Sequence, residues 1–398
     1  MADNKQNKRP NVPPLRFPEF TEPWVNSTIG DSFELYSGNT PSRLEKEQFA
    51  GDINWITSGE LKNHYILKTN EKITKEAAEN NNLRLLPIGT FVIAIYGLEA
   101  DGVRSTGSIT SELSTISQAC MAFLPKRDIS NEFLYSWYMK HGNTIGLRYA
   151  QGTKQQNLSY DIIEKFRITY PSKAEQQKLE YFIGLLDHRI AVQRKLIEDL
   201  QQLKSALVER LYCQHNPNFK IGDLVVQVSK RNRGDNDYSV LSVNNRLGFI
   251  EQSEQFEDRS VASEDTSNYK VVSRDDFAYN PARINVGSIA RLTSFESGIV
   301  SPMYICFHTK KQILPQYLEH FFDTRYFYYE MQKRLEGSVR LCLSWEGLCN
   351  ISIAVPPIEQ QEKVGKRISL LADKISLEER HLDLLKSQKQ YLLQAMFI

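Results

Sequence analysis

The chain has 398 residues, 41% hydrophobic and 24% charged, enough for two or three soluble domains with a substantial core. Its net charge is only +1, which excludes a nucleic-acid binder that works by bulk charge, because such proteins draw their affinity from neutralising phosphates. No apolar run approaches the ~18 residues of a membrane span, and five cysteines without a Cys-x-x-Cys spacing argue against a disulfide scaffold or zinc site and for a cytoplasmic protein.

Residues 1–19 carry Lys5, Lys8, Arg9, Pro10, Pro13 and Pro14 with no apolar block. This is not a secretory signal, and the segment is expected to be flexible. Residues 20–174 read as a first globular head of mixed strand and helix, with a buried strand over 91–96 and a helix over 133–139. Over residues 175–213, apolar side chains recur at alternating spacings of three and four: Leu179, Ile183, Leu186, Ile190, Ile197, Leu200, Leu207 and Leu211, with Gln193 and Lys204 in the two gaps. Residues 214–357 read as a second head, with a strand over 303–307 and a helix over 317–335. Residues 358–398 repeat the apolar series as Val364, Ile368, Leu371, Ile375, Leu382, Leu385, Leu392 and Met396, with Glu378 and Lys389 in the gaps.

The second series lies 185 residues after the first at every rank, polar interruptions included. A single stripe of this kind is often just a helix packed on its own domain. Two matched stripes of about five heptads each indicate a coiled-coil seam, in which a polar residue fixes register at some loss of stability. Each helix of about 38 residues would span ~57 Å. The repeat extends upstream at offsets that drift from 180 to 192. Gly152–Tyr160 aligns with Gly337–Trp345, Gly107-Ser108-Ile109 with Gly287-Ser288-Ile289, and Ile29-Gly30-Asp31 with Ile221-Gly222-Asp223. Glu175-Gln176-Gln177 aligns with Glu359-Gln360-Gln361, one residue off the helix offset. If both helices join the same side of the second head, the second must run back along the first. The fold class expected is therefore α+β, with two mixed heads on an antiparallel helix pair related by a pseudo-two-fold axis.

No catalytic constellation emerges, and no metal set is expected. Gly102–Ser108 resembles a phosphate loop but lacks its lysine. Asn280-Pro281-Ala282-Arg283 begins like the Asn-Pro-Pro-aromatic motif of adenine methyltransferases but lacks the second proline, the aromatic and a preceding glycine-rich cofactor loop. The seven histidines show no metal-ligand spacing, and His188 and His381 read as solvated helix residues. What remains is recognition chemistry. Gln and Asn pair with adenine, and Arg with guanine, in the major groove. In the first head the candidates are Tyr96, Arg104, Lys154, Gln155, Gln156 and Asn157. In the second they are Lys230, Arg231 and Arg233 on a compact basic turn, Asn280, Arg283 and Asn285 on a polar loop, and Ser338 and Arg340. The candidate seam is Ile183, Leu186, Ile190, Ile197, Leu200, Leu207, Ile368, Leu371, Ile375, Leu382, Leu385 and Leu392.

The ordered set formed by Leu15–Phe20 with Trp24, Ile29-Gly30-Asp31, Phe277–Pro281, Gly287-Ser288-Ile289 and two Pro-x-x-Glu-Gln-Gln-like helix starts resembles the specificity subunit of type I restriction-modification systems. The resemblance covers essentially the whole chain. It implies that each head reads one half of a bipartite double-stranded DNA target. The helices set the gap between the halves and dock two modification subunits. Those partners carry S-adenosylmethionine and methylate adenine, and restriction subunits using ATP and Mg join them for cleavage; this chain itself binds no cofactor. The Asn-Pro cluster of the second head has no match in the first, where Ile95-Tyr96-Gly97 and an insertion stand instead. A coiled-coil adaptor with two protein-binding heads is the other function this pattern allows.

Overall fold

The computed structural model describes residues 11–99, 103–152, 156–212, 216–233, 238–245, 247–252, 266–337 and 340–398. It divides into two compact units, Met1–Val192 with His381–Ile398, and Gln193–Arg380.

In the first unit, the strands Phe33–Ser37, Cys120–Pro125, Phe91–Ala94, Gly107–Thr110 and Tyr65–Ile66 lie side by side in that order. The segment expected as a strand over 91–96 is buried on both faces, as its unbroken apolar run requires. It stops at Ala94 because the chain turns at Gly97, whose φ of +74° is open to glycine and strained for other residues. A smaller sheet orders Glu71–Ile73, Ile53–Ile56 and Ser114–Ile116, with the last two parallel. The helix Asn131–Tyr149 is longer than the expected 133–139 and starts where Ser130 caps it by accepting from the Phe133 N–H at 3.0 Å.

The second unit repeats this plan. Strands Val225–Val228, Ile305–Thr309, Phe277–Tyr279 and Ile289–Arg291 stand in the order of their counterparts. A second sheet orders Gly248–Glu251, Val240–Asn244, Ser297–Val300 and Lys270–Ser273, again with one parallel pair. The expected single helix over 317–335 is two, Pro315–Phe321 and Arg325–Gln332. Thr324 accepts from the Phe327 N–H and begins a new helix, so the chain turns between them. The expected strand at 303–307 begins at Ile305 because residues 301–304 form a turn, closed by the Tyr304 N–H on the Ser301 carbonyl.

The long helices are Lys173–Tyr212 and Ile358–Met396, 40 and 39 residues. In the first unit, Leu179, Ile183 and Leu186 share a core with Leu392, Leu393, Met396 and Phe397, and Lys389 bonds Asp187 at 2.5 Å. In the second, Gln193 meets Glu378 while Val208 and Tyr212 share a core with Ile368. Partner numbers fall as residue numbers rise, so the helices are antiparallel within each unit. Of the expected seam, Ile183, Leu186, Ile190, Ile197, Ile368, Ile375, Leu385 and Leu392 are buried, and Leu200, Leu207, Leu371 and Leu382 half-buried. At the end of the first helix the buried face moves from Leu207 and Leu211 to Val208 and Tyr212. A straight helix drifts ~20° per heptad from a 3.5-residue repeat, and here the second head's core takes up the shifted face.

Two expectations change. Residues 11–19, expected as part of a flexible segment, dock on the helices. The Leu15 N–H bonds the Ala395 carbonyl at 2.9 Å, Arg16 forks onto Glu175 at 2.7 and 2.8 Å, and Phe17 stands edge-on to Phe182. Trp24 adds its indole N–H to the same carboxylate at 3.3 Å, which accounts for the Leu-Arg-Phe…Trp motif. The two Glu-Gln-Gln triplets are also not equivalent residue for residue. Gln176 and Gln361 occupy the same structural position, so the helix starts keep the 185-residue offset. Each is 1% exposed. The Gln176 amide donates to the Asp128 and Pro171 carbonyls and accepts from the Ser130 N–H, all at 2.9 Å. Gln361 does the same with Gln312, Pro356 and Leu314 at 3.0, 2.8 and 2.8 Å.

Candidate nucleic-acid interface

Each head carries a hairpin turned by a glycine at the same rank. Gln151 bridges Asn157 around Gly152 (φ +113°), and Glu336 pairs with Cys342 around Gly337 (φ +119°). At Gly337 a Cβ would meet the Arg340 carbonyl oxygen at 2.3 Å, so the turn excludes any other residue. Ser159 and Ser344 then open the short helices Tyr160–Ile163 and Trp345–Cys349.

In the first head the hairpin is laced to the turn that follows the central strand. The Leu98 N–H bonds the Gln156 carbonyl at 3.0 Å, Gly97 donates to the Asn157 side chain at 3.3 Å, and the Leu158 N–H bonds Ile95 at 2.8 Å. Tyr96, Arg104, Gln156 and Asn157 are thereby brought together. Tyr96 is exposed. Arg104 is half-buried: its stem lies against Gly146, Nη2 bonds Gln156 Oε1 at 3.1 Å, and Nε is buried without a partner. Sequence reading missed Glu99, whose carboxylate accepts from the Gln156 N–H at 2.7 Å. That backbone hydrogen bond, with Arg104 nearby, lowers its pKa. A fixed carboxylate is the acceptor that suits a cytosine amino group. Lys154, Gln155 and Gly102 lie outside the described residues.

In the second head three loops and the hairpin converge. The Leu343 N–H bonds the Pro281 carbonyl at 3.1 Å and seats the hairpin beside Asn280. Asn280 is a turn-former: its Oδ1 accepts from the Ala282 N–H at 3.1 Å, and its Nδ2 lies 3.5 Å from Met303 Sδ. Arg283 is exposed, Asn285 half-buried and Arg340 exposed at the hairpin tip. The basic segment joins the sheet edge, where Arg231 bridges Lys270 and bonds Asn268 at 2.6 Å. Lys270 Nζ in turn donates to the Tyr304 carbonyl at 2.6 Å, next to Met303. Lys230 and Arg233 are exposed, and Asn232 between them is buried. Ser338, Cys213 and residues 1–10 lie outside the described residues. Asn245 and Met303, which border this cluster, belong to no motif or charge cluster in the sequence.

The polar gaps in the helix series are paired. Gln193 Nε2 donates to the Glu378 carboxylate at 2.5 Å and to its carbonyl at 3.1 Å, both side chains being buried. Lys204 lies 3.8 Å from Asp323 of the second head. Lys389, at the same rank, holds Asp187, which lies 3.7 Å from His64 of the first head; His64 Nε2 contacts Glu132 at 2.8 Å. No group of three or more His, Cys, Asp and Glu placed to hold a metal occurs among the described residues, and no helix there is long and apolar enough to cross a membrane.

Two mixed α/β heads of one plan with paired long helices define a duplicated fold. The sequence model of the type I restriction modification DNA specificity domain matches residues 21–202. The MjaIX type I restriction enzyme specificity subunit of Methanocaldococcus jannaschii is 29% identical over 51% of this chain, and the matched part is 46% of that protein. The EcoR124I/EcoR124II specificity subunit of Escherichia coli is 27% identical over 44% of this chain and 43% of its own. The aligned region thus spans about half the length of these relatives. The MjaVIII specificity subunit aligns over 95% of this chain and 92% of its own at 21% identity. The type I S subunit structure from M. genitalium shares the fold over 97% of this chain and 99% of that one, with a TM-score of 0.57 at 15% identity. A chain from a structure of type I R-M complex assembly and conformational transition does so with a TM-score of 0.58 at 11% identity, over 93% and 96%. Over the matched residues the chain is similar to type I restriction-modification specificity subunits, and it shares its fold with solved S subunits.

Proposed function

We propose that this chain is the non-catalytic, sequence-reading subunit of a type I restriction-modification complex in the cytoplasm. Each head binds one half of a bipartite DNA target, and the helices set the spacing between the halves. One observation carries this reading: both heads place polar and basic residues on the same glycine-turned hairpin and on the turn after the same central strand. Phosphate contacts from Lys230, Arg231 and Arg233 would position the second head, and base-edge contacts from the loops would specify the sequence.

The chain holds no cofactor of its own in this reading. S-adenosylmethionine belongs to two modification subunits, and ATP with Mg to the restriction subunits. The helices offer these partners a second apolar face. Leu370, Leu377, Leu384 and Tyr391 recur every seven residues and are exposed, and Tyr181, Leu185, Val192, Leu196 and Leu203 are exposed on the first helix. A sustained exposed heptad stripe is a surface for partner helices.

Exchanging residues 20–170 for another first head tests the reading. Methylome sequencing of cells making the complex should then show one half of the motif changed and the other half and the spacer kept. A motif changed in both halves, or in neither, would sink it.

A further inference from the structure

Two amides of the second head's loop cluster are committed to the fold itself. Asn280 Oδ1 is committed to the Ala282 N–H. Asn245, on the neighbouring loop, donates to the Val286 carbonyl at 3.3 Å. These bonds tie Asn245 and the loop at 280–287 into one surface, and Asn280 ties in the loop at 301–304 through Met303. Among the side chains this arrangement presents outward, beside Arg283, are two apolar ones: Met303 is 60% exposed and Val286 54%.

Their exposure is built in. Met303 precedes Tyr304, which is buried; the Tyr304 hydroxyl accepts from the Val243 N–H at 3.3 Å, and its carbonyl accepts from Lys270. Val286 ends a short turn whose Gly287 has φ +89° and lies against Asn245. Two apolar side chains are therefore held outward on a rigid frame, with Arg283 exposed beside them and Arg231 joined to the frame through Lys270. An apolar contact ringed by amides and cations matches the major-groove edge of an A·T pair, where the thymine C5-methyl is the one apolar group. Held on a frame rather than a mobile loop, such contacts keep their geometry.

We infer that Met303 and Val286 are specificity residues that read thymine methyl groups in the half-site of the second head. This rests on the DNA-reading function proposed above. The experiment uses the complex of this chain with its modification subunits and a duplex carrying the motif read from the methylome. Each thymine of the second head's half-site is replaced in turn by deoxyuracil, which lacks only the methyl. Loss of one buried methyl should weaken binding about fourfold at one or two positions. Met303→Ala and Val286→Ala should bind the thymine duplex about that much more weakly and should no longer distinguish thymine from deoxyuracil there. Met303→Leu should retain the distinction, and replacements in the other half-site should act alike on all variants. Variants that bind as the wild type does, with its thymine preference intact, overturn the inference. So do variants that lose assembly with the modification subunits, which would make the patch a protein contact. A wild-type complex that recognises no bipartite motif would instead overturn the underlying function.

Discussion

His320 and His141 are imidazoles that the fold holds neutral. Burial, with Lys204 and Arg291 nearby, lowers His320 to about 4, and its Nε2 is buried without a partner. Burial, with Lys140, lowers His141 to about 4. Histidine in an unfolded chain titrates near ~6.5. The folded values lie below the unfolded one, so the unfolded state takes up more protons between them. The stability these groups allow is complete above the unfolded pKa and is lost as pH falls toward the folded one. For His320 the loss is on the order of 3 kcal/mol. Urea unfolding between about pH 7 and about pH 4.5 should show falling stability, and His320→Phe should remove a large part of the slope. An unchanged slope would mean that the imidazole is not desolvated. Residue-scale function was the least legible level of the sequence. Asn280 stood out as a base reader by type, and its Oδ1 also closes a turn, while exposed Met303 gives no periodic or motif signal at all. Gln156 and Asn157 could be singled out because a glycine-turned polar loop is visible as such.

At the scale of elements, the long helices were read almost whole because a heptad pattern is local and repeats. Their second, exposed face went unnoticed beside the buried seam. Leu377→Glu and Leu384→Glu should change stability by no more than about 0.5 kcal/mol, as surface substitutions do, while copurification with the modification subunits should fall away. Undiminished assembly would rule out the stripe as the docking face. Strand order was not legible, because Phe33–Ser37 and Cys120–Pro125 pair across more than eighty residues with nothing local to announce it. The break at Thr324 was legible in principle, since Asp-Thr before an amphipathic run is a helix-start signal.

At the scale of the whole molecule, the duplication in the sequence is a duplication of architecture: the same order of four core strands, the same hairpin and the same helix start occur in both units. The proposed spacing role makes a quantitative claim. Removing one heptad from each long helix shortens the pair by ~10.5 Å, about three base pairs of duplex. Methylome sequencing should return both half-sites with a spacer shorter by that amount, and an unchanged spacer would contradict the role. A further consequence follows from Gln176 and Gln361. Each fastens its head to its helix entirely through main-chain atoms: two carbonyls and one N–H. The lock is therefore blind to head composition. A genetic crossover near either proline ahead of a long helix would import a foreign head with this part of its fastening intact. Under the proposed function, one recombination event would then bring a new target sequence without relearning how to attach.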